Sequence, residues 1–222
     1  MAFEARRLPA MSTGTGSRTI SISVRIHPSE TTMSELRKLQ LLSEAEYLAG
    51  EELSELRHEY VEGQIFAMTG ANERHNRITV NVGYRLRGAA RGGHCGVFVS
   101  DMRLYIRERR IYYYPDVMLT CDETDDHELY KVRPCLVAEV LSASTETTDR
   151  REKLNVYRSI PSLRYILLIR ANVAEVEYFC RNAAREWETA RLDRDQVIGI
   201  KCGGYSTELS LLEIYEDVVL PG

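Results

Sequence analysis

The stretch CLVAEVL at residues 135–141 is apolar except for Glu139. A short apolar run between polar segments is typical of a strand that is buried in a sheet. An ionised carboxylate taken out of water is costly unless another group compensates its charge, so an acid at this position needs an explanation. Because side chains alternate along a strand, Glu139 shares one face with Val137 and Leu141 and is predicted to point into an apolar layer.

The segments that follow this strand predict a βαβ crossover. A bend rich in Ser and Thr, 142–148, leads into a predicted helix over 149–159. Pro161 ends that helix, because proline cannot continue the helical hydrogen bonding. The apolar segment 164–169 then predicts the second strand of the crossover.

The rest of the chain adds helices and strands in an order that predicts an α/β fold, with a mixed β-sheet flanked by helices. The predicted elements are a helix from Ser43 through Leu48, a hairpin over 59–68 turning at Glu62-Gly63, a helix over 72–90, strands near 97–99 and 102–107, one strand over 111–119, strands over 174–179 and 187–192, and a short helix near 211–215.

Length and charge indicate one mid-sized domain without a general attraction to nucleic acid. The chain has 222 residues and a formal net charge of -4. A polyanion would therefore have to bind a local basic patch. Two groups of arginines are candidates for such a patch, although clustered arginines are usually solvated surface: Arg85, Arg87 and Arg91, and then Arg103, Arg107, Arg109 and Arg110.

Residues 1–32 differ in composition from the rest of the chain. They are rich in Ser, Thr, Gly and Arg, which predicts a loosely ordered extension. The predicted domain occupies residues 33–222, with its compact part beginning near Leu41. Met33 is an alternative start of the protein.

Cysteine usage favours a reducing setting. The chain has 5 cysteines without a C-x-x-C pair, which argues against a disulfide framework and against a zinc ribbon. The sequence also has no apolar run of membrane-spanning length and no apolar stretch near its start that would act as a secretory signal. These features predict a cytoplasmic protein.

A second acid, Asp116, is predicted to meet Glu139. Pro115 cannot donate to a ladder, so it marks the start, the edge or a bulge of a strand, and Asp116 follows it directly. The acidic loop at 122–127 allows an antiparallel return. If the two strands are neighbours, the two carboxylates converge at one end of the sheet.

Two converging carboxylates repel each other, and a bound cation removes that conflict. Mg²⁺ prefers one or two carboxylates together with waters and phosphate oxygens, and it can polarise a phosphate and help to generate a hydroxide nucleophile. Lys153, on the helix after the Glu139 strand, would place positive charge where the phosphate gathers negative charge. The three residues together predict phosphodiester hydrolysis that depends on Mg²⁺.

Each candidate residue also has an ordinary structural interpretation. Glu139 could pair with a buried arginine, and Asp116 after proline is a common turn signature. Lys153 could pair with Asp149 one helical turn away. His75 could be a satisfied core histidine, and the acids at 59 and 62 could be solvated groups beside a turn.

Several of these residues occur in an order that resembles a known family. The matching features are Tyr-x-Glu-Gly near residue 60, His75, Pro115-Asp116, Glu139-Val140-Leu141-Ser142, and Asp149 to Lys153-x-x-x-Tyr157. This pattern resembles the Uma-type (Uma two) family of restriction endonucleases, within the PD-(D/E)XK nuclease superfamily. The resemblance runs from near Leu41 to near the C-terminus.

The resemblance implies a restriction-endonuclease-like core with Mg²⁺ bound to Asp116 and Glu139, Lys153 as the third catalytic residue, and DNA as the substrate. Glu59, Glu62 and His75 would be accessory residues of the site. The superfamily lysine would stand at position 141, which is Leu here, and the family typically carries its lysine on the following helix, where Lys153 fits.

Two other functions are compatible with the same residues. A catalytically inactive module of the same fold could bind nucleic acid or protein, although such a module has no reason to bury Glu139. A glycosidase with paired carboxylates would need no lysine. A cut through both DNA strands usually needs two active sites, which makes a homodimer plausible.

Overall fold

The computed structural model describes residues 41–68, 70–142 and 152–221. The predicted extension at 1–32, the alternative start at Met33 and most of the bend before the crossover helix lie outside these residues. Residues Leu41–Gly222 form one compact unit. Within the described part of the chain, no helix is both long enough and apolar enough to cross a membrane.

Four α-helices and thirteen strands are formed by the described residues. The helices are α1 (Glu44–Leu53), α2 (Glu73–Ala89), α3 (Leu154–Arg158) and α4 (Leu211–Ile214), with a short 3-10 helix at Arg107–Arg109. The strands are β1 (His58–Val61), β2 (Gln64–Ala67), β3 (Gly96–Val99), β4 (Arg103–Ile106), β5 (Ile111–Tyr113), β6 (Val117–Thr120), β7 (Tyr130–Lys131), β8 (Pro134–Leu141), β9 (Tyr165–Arg170), β10 (Val176–Arg181), β11 (Trp187–Arg191), β12 (Val197–Cys202) and β13 (Tyr205–Ser210).

The strands form three sheets. The largest has the order β11-β10-β9-β8-β6-β3, a second has the order β2-β1-β5-β4-β7, and β12 pairs with β13. In the largest sheet β8 and β9 are parallel whereas β6 and β8 are antiparallel. The predicted α/β fold with a mixed sheet flanked by helices is therefore confirmed, and so is the βαβ crossover.

Strand β8 lies at the centre of the largest sheet, and all eight of its residues are buried. On one face Leu136, Ala138 and Val140 share an apolar cluster with α2, α4 and the β12–β13 hairpin. On the other face Val137 and Leu141 pack with α3 and with strands β4 and β5. Because both faces are covered, the strand reads as an almost continuous apolar run.

The segment 111–119 is not one strand, as its sequence predicts, but two strands in different sheets. Strand β5 pairs with β1 and β4 in the second sheet, whereas β6 pairs with β3 and β8 in the largest sheet. Pro115 lies between them and has no N–H to continue a ladder. The interruption places Asp116 at the start of β6, between the two sheets.

Local signals at the hairpin and at α2 are confirmed. Glu62 and Gly63 both have positive φ, 51° and 98°, as a two-residue hairpin turn requires. Asn72 caps α2 by accepting from the His75 N–H. The predicted first helix is too short, since α1 continues from its Ser43 cap to Leu53 instead of ending at Leu48.

The β12–β13 hairpin is absent from the predicted elements. Its signal was available in the sequence, because the apolar residues of β12 alternate with exposed ones, with Ile198, Ile200 and Cys202 buried. Gly203-Gly204 then supplies the turn, and both residues have positive φ. Alternation followed by two glycines is a strong indication of a hairpin.

The expectation that the cysteines form no disulfides is wrong for four of the five. Cys95 is bonded to Cys121 and Cys135 to Cys202, while Cys180 is free. The antiparallel register of β3 and β6 pairs Gly96 with Thr120, so the two residues just outside those positions meet. Cysteine spacing could not show this pairing, and the cytoplasmic setting stays a prediction without that support.

Candidate active site

Asp116 and Glu139 lie side by side at one end of the largest sheet. The register of β6 and β8 pairs Val117 with Ala138, which places the next residues, Asp116 and Glu139, opposite each other. The Asp116 N–H lies 3.5 Å from Glu139 Oε2. Asp116 Oδ2 accepts from the Val140 N–H at 2.7 Å. The antiparallel return that the sequence predicts therefore brings the two carboxylates together.

Lys153 reaches this pair from the crossover. It directly precedes α3, and only 8% of its surface is exposed. Its Nζ lies 3.7 Å from Glu139 Oε1 and 5.1 Å from the centre of the Tyr113 ring. Asp149, its expected partner on a helix surface, lies outside the described residues. The ammonium group is thus held in the interior, close to the acid of β8.

Glu59 is a third acid of the site. Its Oε1 accepts from Lys153 Nζ at 2.7 Å and from the Tyr114 N–H at 3.3 Å. Its side chain is only 14% exposed, so Glu59 is not a solvated turn residue. Glu62, the other predicted accessory acid, is exposed in the β1–β2 turn, and its N–H donates to the Arg110 carbonyl.

His75 joins the site from the first turn of α2. Its Nε2 lies 3.3 Å from Asp116 Oδ2, and its Nδ1 lies 3.5 Å from Thr79 Oγ1. The Asn72 cap fixes the start of the helix and with it the position of this ring. His75 and the Val140 N–H therefore contact the same oxygen of Asp116.

Tyr157 is a residue of the site that is missing from the predicted set. Its hydroxyl donates to Glu139 Oε1, and its side chain is fully buried. Burial, and then the nearby carboxylate of Glu139, raises the pKa of Tyr157 well above its ordinary value, so the hydroxyl keeps its proton. The signal was its spacing from Lys153, because residues four apart lie on the same face of a helix.

Among the described residues, the assembled side chains include three acids and one lysine. Lys153 contacts Glu59 and Glu139, and the imidazole of His75 contacts Asp116. Burial raises the pKa of the neighbouring Tyr113 to about 12, and the carboxylate of Glu59 adds to this effect. An acidic, largely buried cluster of this kind favours a cation.

The acid pair fits Mg²⁺ better than a metal held entirely by protein. No group of three or more His, Cys, Asp or Glu side chains in the described ranges is arranged to hold a metal ion. Structural zinc needs four such ligands, whereas Mg²⁺ binds to one or two carboxylates and completes its shell with waters and phosphate oxygens. Asp116 and Glu139 supply this smaller set of hard oxygen ligands.

The two predicted arginine patches are partly neutralised. Arg85 pairs with Glu213 and Glu216, and Arg110 pairs with Glu44 at 2.7 Å. Arg103 is buried. Moreover, the C-terminal end of α2 lies about 20 Å from His75, at about 1.5 Å for each helical residue. Arg85, Arg103 and Arg110 are therefore not free cations of an open basic surface.

Comparison with known proteins gives a consistent family and fold. Residues 44–203 match the Uma2 family, described as "Putative restriction endonuclease". Two proteins from Synechocystis sp. (strain ATCC 27184 / PCC 6803 / Kazusa) are similar. "Uncharacterized protein sll1609" is 38% identical over 151 residues, which is 67% of this chain and 85% of that protein. "Uncharacterized protein slr1290" is 34% identical over 172 residues, 77% of this chain and 90% of that protein.

A solved structure shares the fold at low sequence identity. It is the crystal structure of a "putative nuclease belonging to DUF820" from Anabaena variabilis ATCC 29413. The two structures superpose with a TM-score of 0.63 at 16% identity, over 79% of this chain and 98% of that chain. At this identity the likeness shows the fold alone.

Proposed function

Because the chain belongs to the Uma2 family, described as "Putative restriction endonuclease", we propose that it is a Mg²⁺-dependent endonuclease that hydrolyses phosphodiester bonds in DNA. The observation that carries the proposal is the meeting of Asp116, Glu139 and Lys153. Asp116 directly precedes β6, Glu139 lies in β8 and Lys153 comes from the crossover. The family and the shared fold support nuclease activity, and the acids and the lysine support its dependence on a metal ion.

Asp116 and Glu139 would hold the metal ion. When bound, Mg²⁺ supplies Lewis-acid polarisation of a phosphate and lowers the pKa of a coordinated water. The protein keeps both acids in fixed positions. Asp116 is held by the Val140 N–H and by His75, and Glu139 is held by the Tyr157 hydroxyl. Fixed carboxylates need little reorganisation when a substrate arrives, which favours the transition state.

Lys153 provides the positive charge of the site. Its ion pair with Glu59, at 2.7 Å, holds the ammonium near the end of β8, 3.7 Å from Glu139 Oε1. In that position it can hold a water molecule or stabilise negative charge that develops on a phosphate. Glu59 is thus a positioning residue for Lys153. This is a specific form of the accessory role that the family resemblance implies for Glu59.

The position of Lys153 is compatible with the leucine at 141. Leu141 is 4% exposed and belongs to the apolar cluster with α3, so a lysine there would have to be buried among apolar side chains. Lys153 brings the ammonium to the same strand end from the next element. This arrangement supports an active site of the PD-(D/E)XK type without a lysine on β8.

The proposal is tested by nicking of supercoiled plasmid DNA with MgCl₂ and with EDTA. The nearly isosteric variants Asp116→Asn and Glu139→Gln remove one charge each and are expected to abolish cleavage. The matched control is Asp195→Asn, an exposed acid before β12, which is expected to cleave like the wild type.

Three outcomes of this experiment would count against the proposal. Equal cleavage by the wild type and both site variants would mean that another site or a contaminant cuts the DNA. Cleavage in EDTA would mean that the reaction does not depend on a divalent metal ion. If the protein binds DNA but does not cleave it with any divalent metal ion added, a catalytically inactive binding module is favoured instead. A homodimer remains a prediction, which sedimentation of the DNA complex would check.

A further inference from the structure

Arg74 is a partly buried cation beside the candidate active site. It precedes His75 in the first turn of α2. Its Nη2 donates to Asn172 Oδ1 at 3.3 Å. Its Nε is buried and has no hydrogen-bond partner within the described residues. The partner that the structure gives this guanidinium is therefore a neutral amide.

Neighbouring arginines are compensated differently. Arg77, one turn further along α2, pairs with Glu73 at 2.9 Å, and Arg170 at the end of β9 lies 3.6 Å from Glu175. No ion pair of Arg74 with a carboxylate is formed among the residues that the structure describes. Because a partly buried charge is costly without a counterion, Arg74 is suited to bind an anion from outside the chain.

The topology places Arg74 at the same end of the sheet as the acids. His75, the next residue, contacts Asp116. Asn172 follows β9, whose last residue pairs with Leu141, and the Ala171 N–H donates to the Leu141 carbonyl at 3.1 Å. Leu141 is two residues beyond Glu139 on β8. The contact with Asn172 therefore places the guanidinium at the carboxyl ends of β8 and β9, the end of the sheet at which the acid pair lies.

We propose that Arg74 binds a phosphate of DNA. This phosphate would be next along the strand to the scissile phosphate, which would lie at the metal site formed by Asp116 and Glu139. This inference rests on the proposed nuclease function and adds a positioning residue to it. A guanidinium group can donate two parallel hydrogen bonds to a phosphate. The Asn172 amide orients the guanidinium without neutralising it, and the start of α2 adds positive potential.

The competing explanation is structural: Arg74 would only join α2 to the turn after β9. The two roles differ in their dependence on salt. A phosphate contact releases counterions, so its loss weakens binding and makes the salt dependence of the affinity shallower. A purely structural contact changes the free energy of unfolding but leaves the slope of log affinity against log salt unchanged.

The test measures the binding of a fluorescein-labelled DNA duplex by fluorescence anisotropy in EDTA, over a series of salt concentrations. Arg74→Gln is expected to bind about 10- to 100-fold more weakly, the range for a hydrogen bond to a charged group. Its salt slope is expected to be shallower by about 1. Arg77→Gln is the matched control on the same helix and is expected to keep the wild-type affinity and slope.

A second variant covers the case in which Arg74→Gln does not fold. Asn172→Asp places a carboxylate on the guanidinium, so it keeps or strengthens the contact between α2 and the turn after β9. We expect this variant to retain the wild-type melting temperature, to bind the duplex more weakly and to show a shallower dependence of affinity on salt. Gln196→Glu, at an exposed position before β12, controls for the added negative charge.

The possible failures are distinguishable. If the wild type binds DNA, and both Arg74→Gln and Asn172→Asp bind it with the affinity and salt dependence of the wild type, the proposed role of Arg74 is wrong. The proposed nuclease function would still stand. If the wild type neither binds nor cuts DNA under any condition, both proposals are wrong.

Discussion

The pair of Lys153 and Glu59 allows a quantitative test of the site. The two side chains are 10% and 14% exposed, and their charged atoms lie 2.7 Å apart. Lys153→Met removes the ammonium and leaves the carboxylates of Glu59 and Glu139 without it. Breaking a buried ion pair by removing one partner costs about 3–5 kcal/mol. We therefore expect Lys153→Met to lower the free energy of unfolding by an amount in this range.

The double variant Lys153→Met with Glu59→Gln separates the pair from its surroundings. It removes the cation together with the acid nearest to it, so the unpaired charge that destabilises each single variant is largely absent. The loss in the double variant is expected to be smaller than the sum of the single losses. The coupling free energy of residues in direct contact is expected to be about 1–3 kcal/mol.

Urea unfolding in EDTA measures these losses, and Trp187, the single tryptophan, reports the transition. Its indole N–H donates to the Arg158 carbonyl, so its fluorescence is sensitive to the packing of β11 against the end of α3. Additive losses, with a coupling free energy near zero, would refute the argument that the pair is buried and mutually dependent. Such a result would also mean that Glu59 does not position Lys153.

Three further predictions concern the surroundings of the site. Tyr157→Phe removes the hydroxyl that donates to Glu139. The loss of this hydrogen bond to a buried carboxylate is expected to lower the free energy of unfolding by about 1–3 kcal/mol, measured by urea unfolding, and to reduce plasmid nicking. The free energy of unfolding is expected to fall as the pH rises from about 10, where tyrosines of the unfolded chain ionise, toward the pKa of about 12 of folded Tyr113. In this range the folded state keeps the Tyr113 proton, whereas the unfolded state loses it. Urea midpoints measured across the range test whether stability falls. Replacing Cys135 and Cys202 by Ser removes a bridge that closes 67 residues and is expected to cost about 2–4 kcal/mol, measured by thermal unfolding.

Each of these predictions has a contrary result, and the two substitutions have matched controls. Tyr178→Phe, on β10, is the control for Tyr157→Phe, and equal effects of the two would remove Tyr157 from the site. If the free energy of unfolding stays constant or increases as the pH is raised beyond about 10, the burial of the tyrosines is contradicted. Cys180→Ser replaces the free cysteine, and an unchanged midpoint for the disulfide variant would mean that the bridge is not formed.

The sequence by itself determined the elements whose signals are local. The apolar run of β8, the Glu62-Gly63 turn and the Asn72 cap of α2 each depend on a few consecutive residues. It also determined that Asp116 and Glu139 could meet, because the loop between their strands allows an antiparallel return. Periodicity, turn chemistry and capping act over short distances, which is why these predictions are confirmed.

The tertiary structure alone decided which distant residues complete the site. Glu59 and Lys153 are 94 residues apart, and no local rule brings them together or leaves Glu62 exposed in the turn. The same holds for the disulfides and for the division of 111–119 between two sheets. These contacts depend on sheet register and on how α2 and α3 cover the two faces of β8, and both are set by the burial of apolar surface over the whole domain.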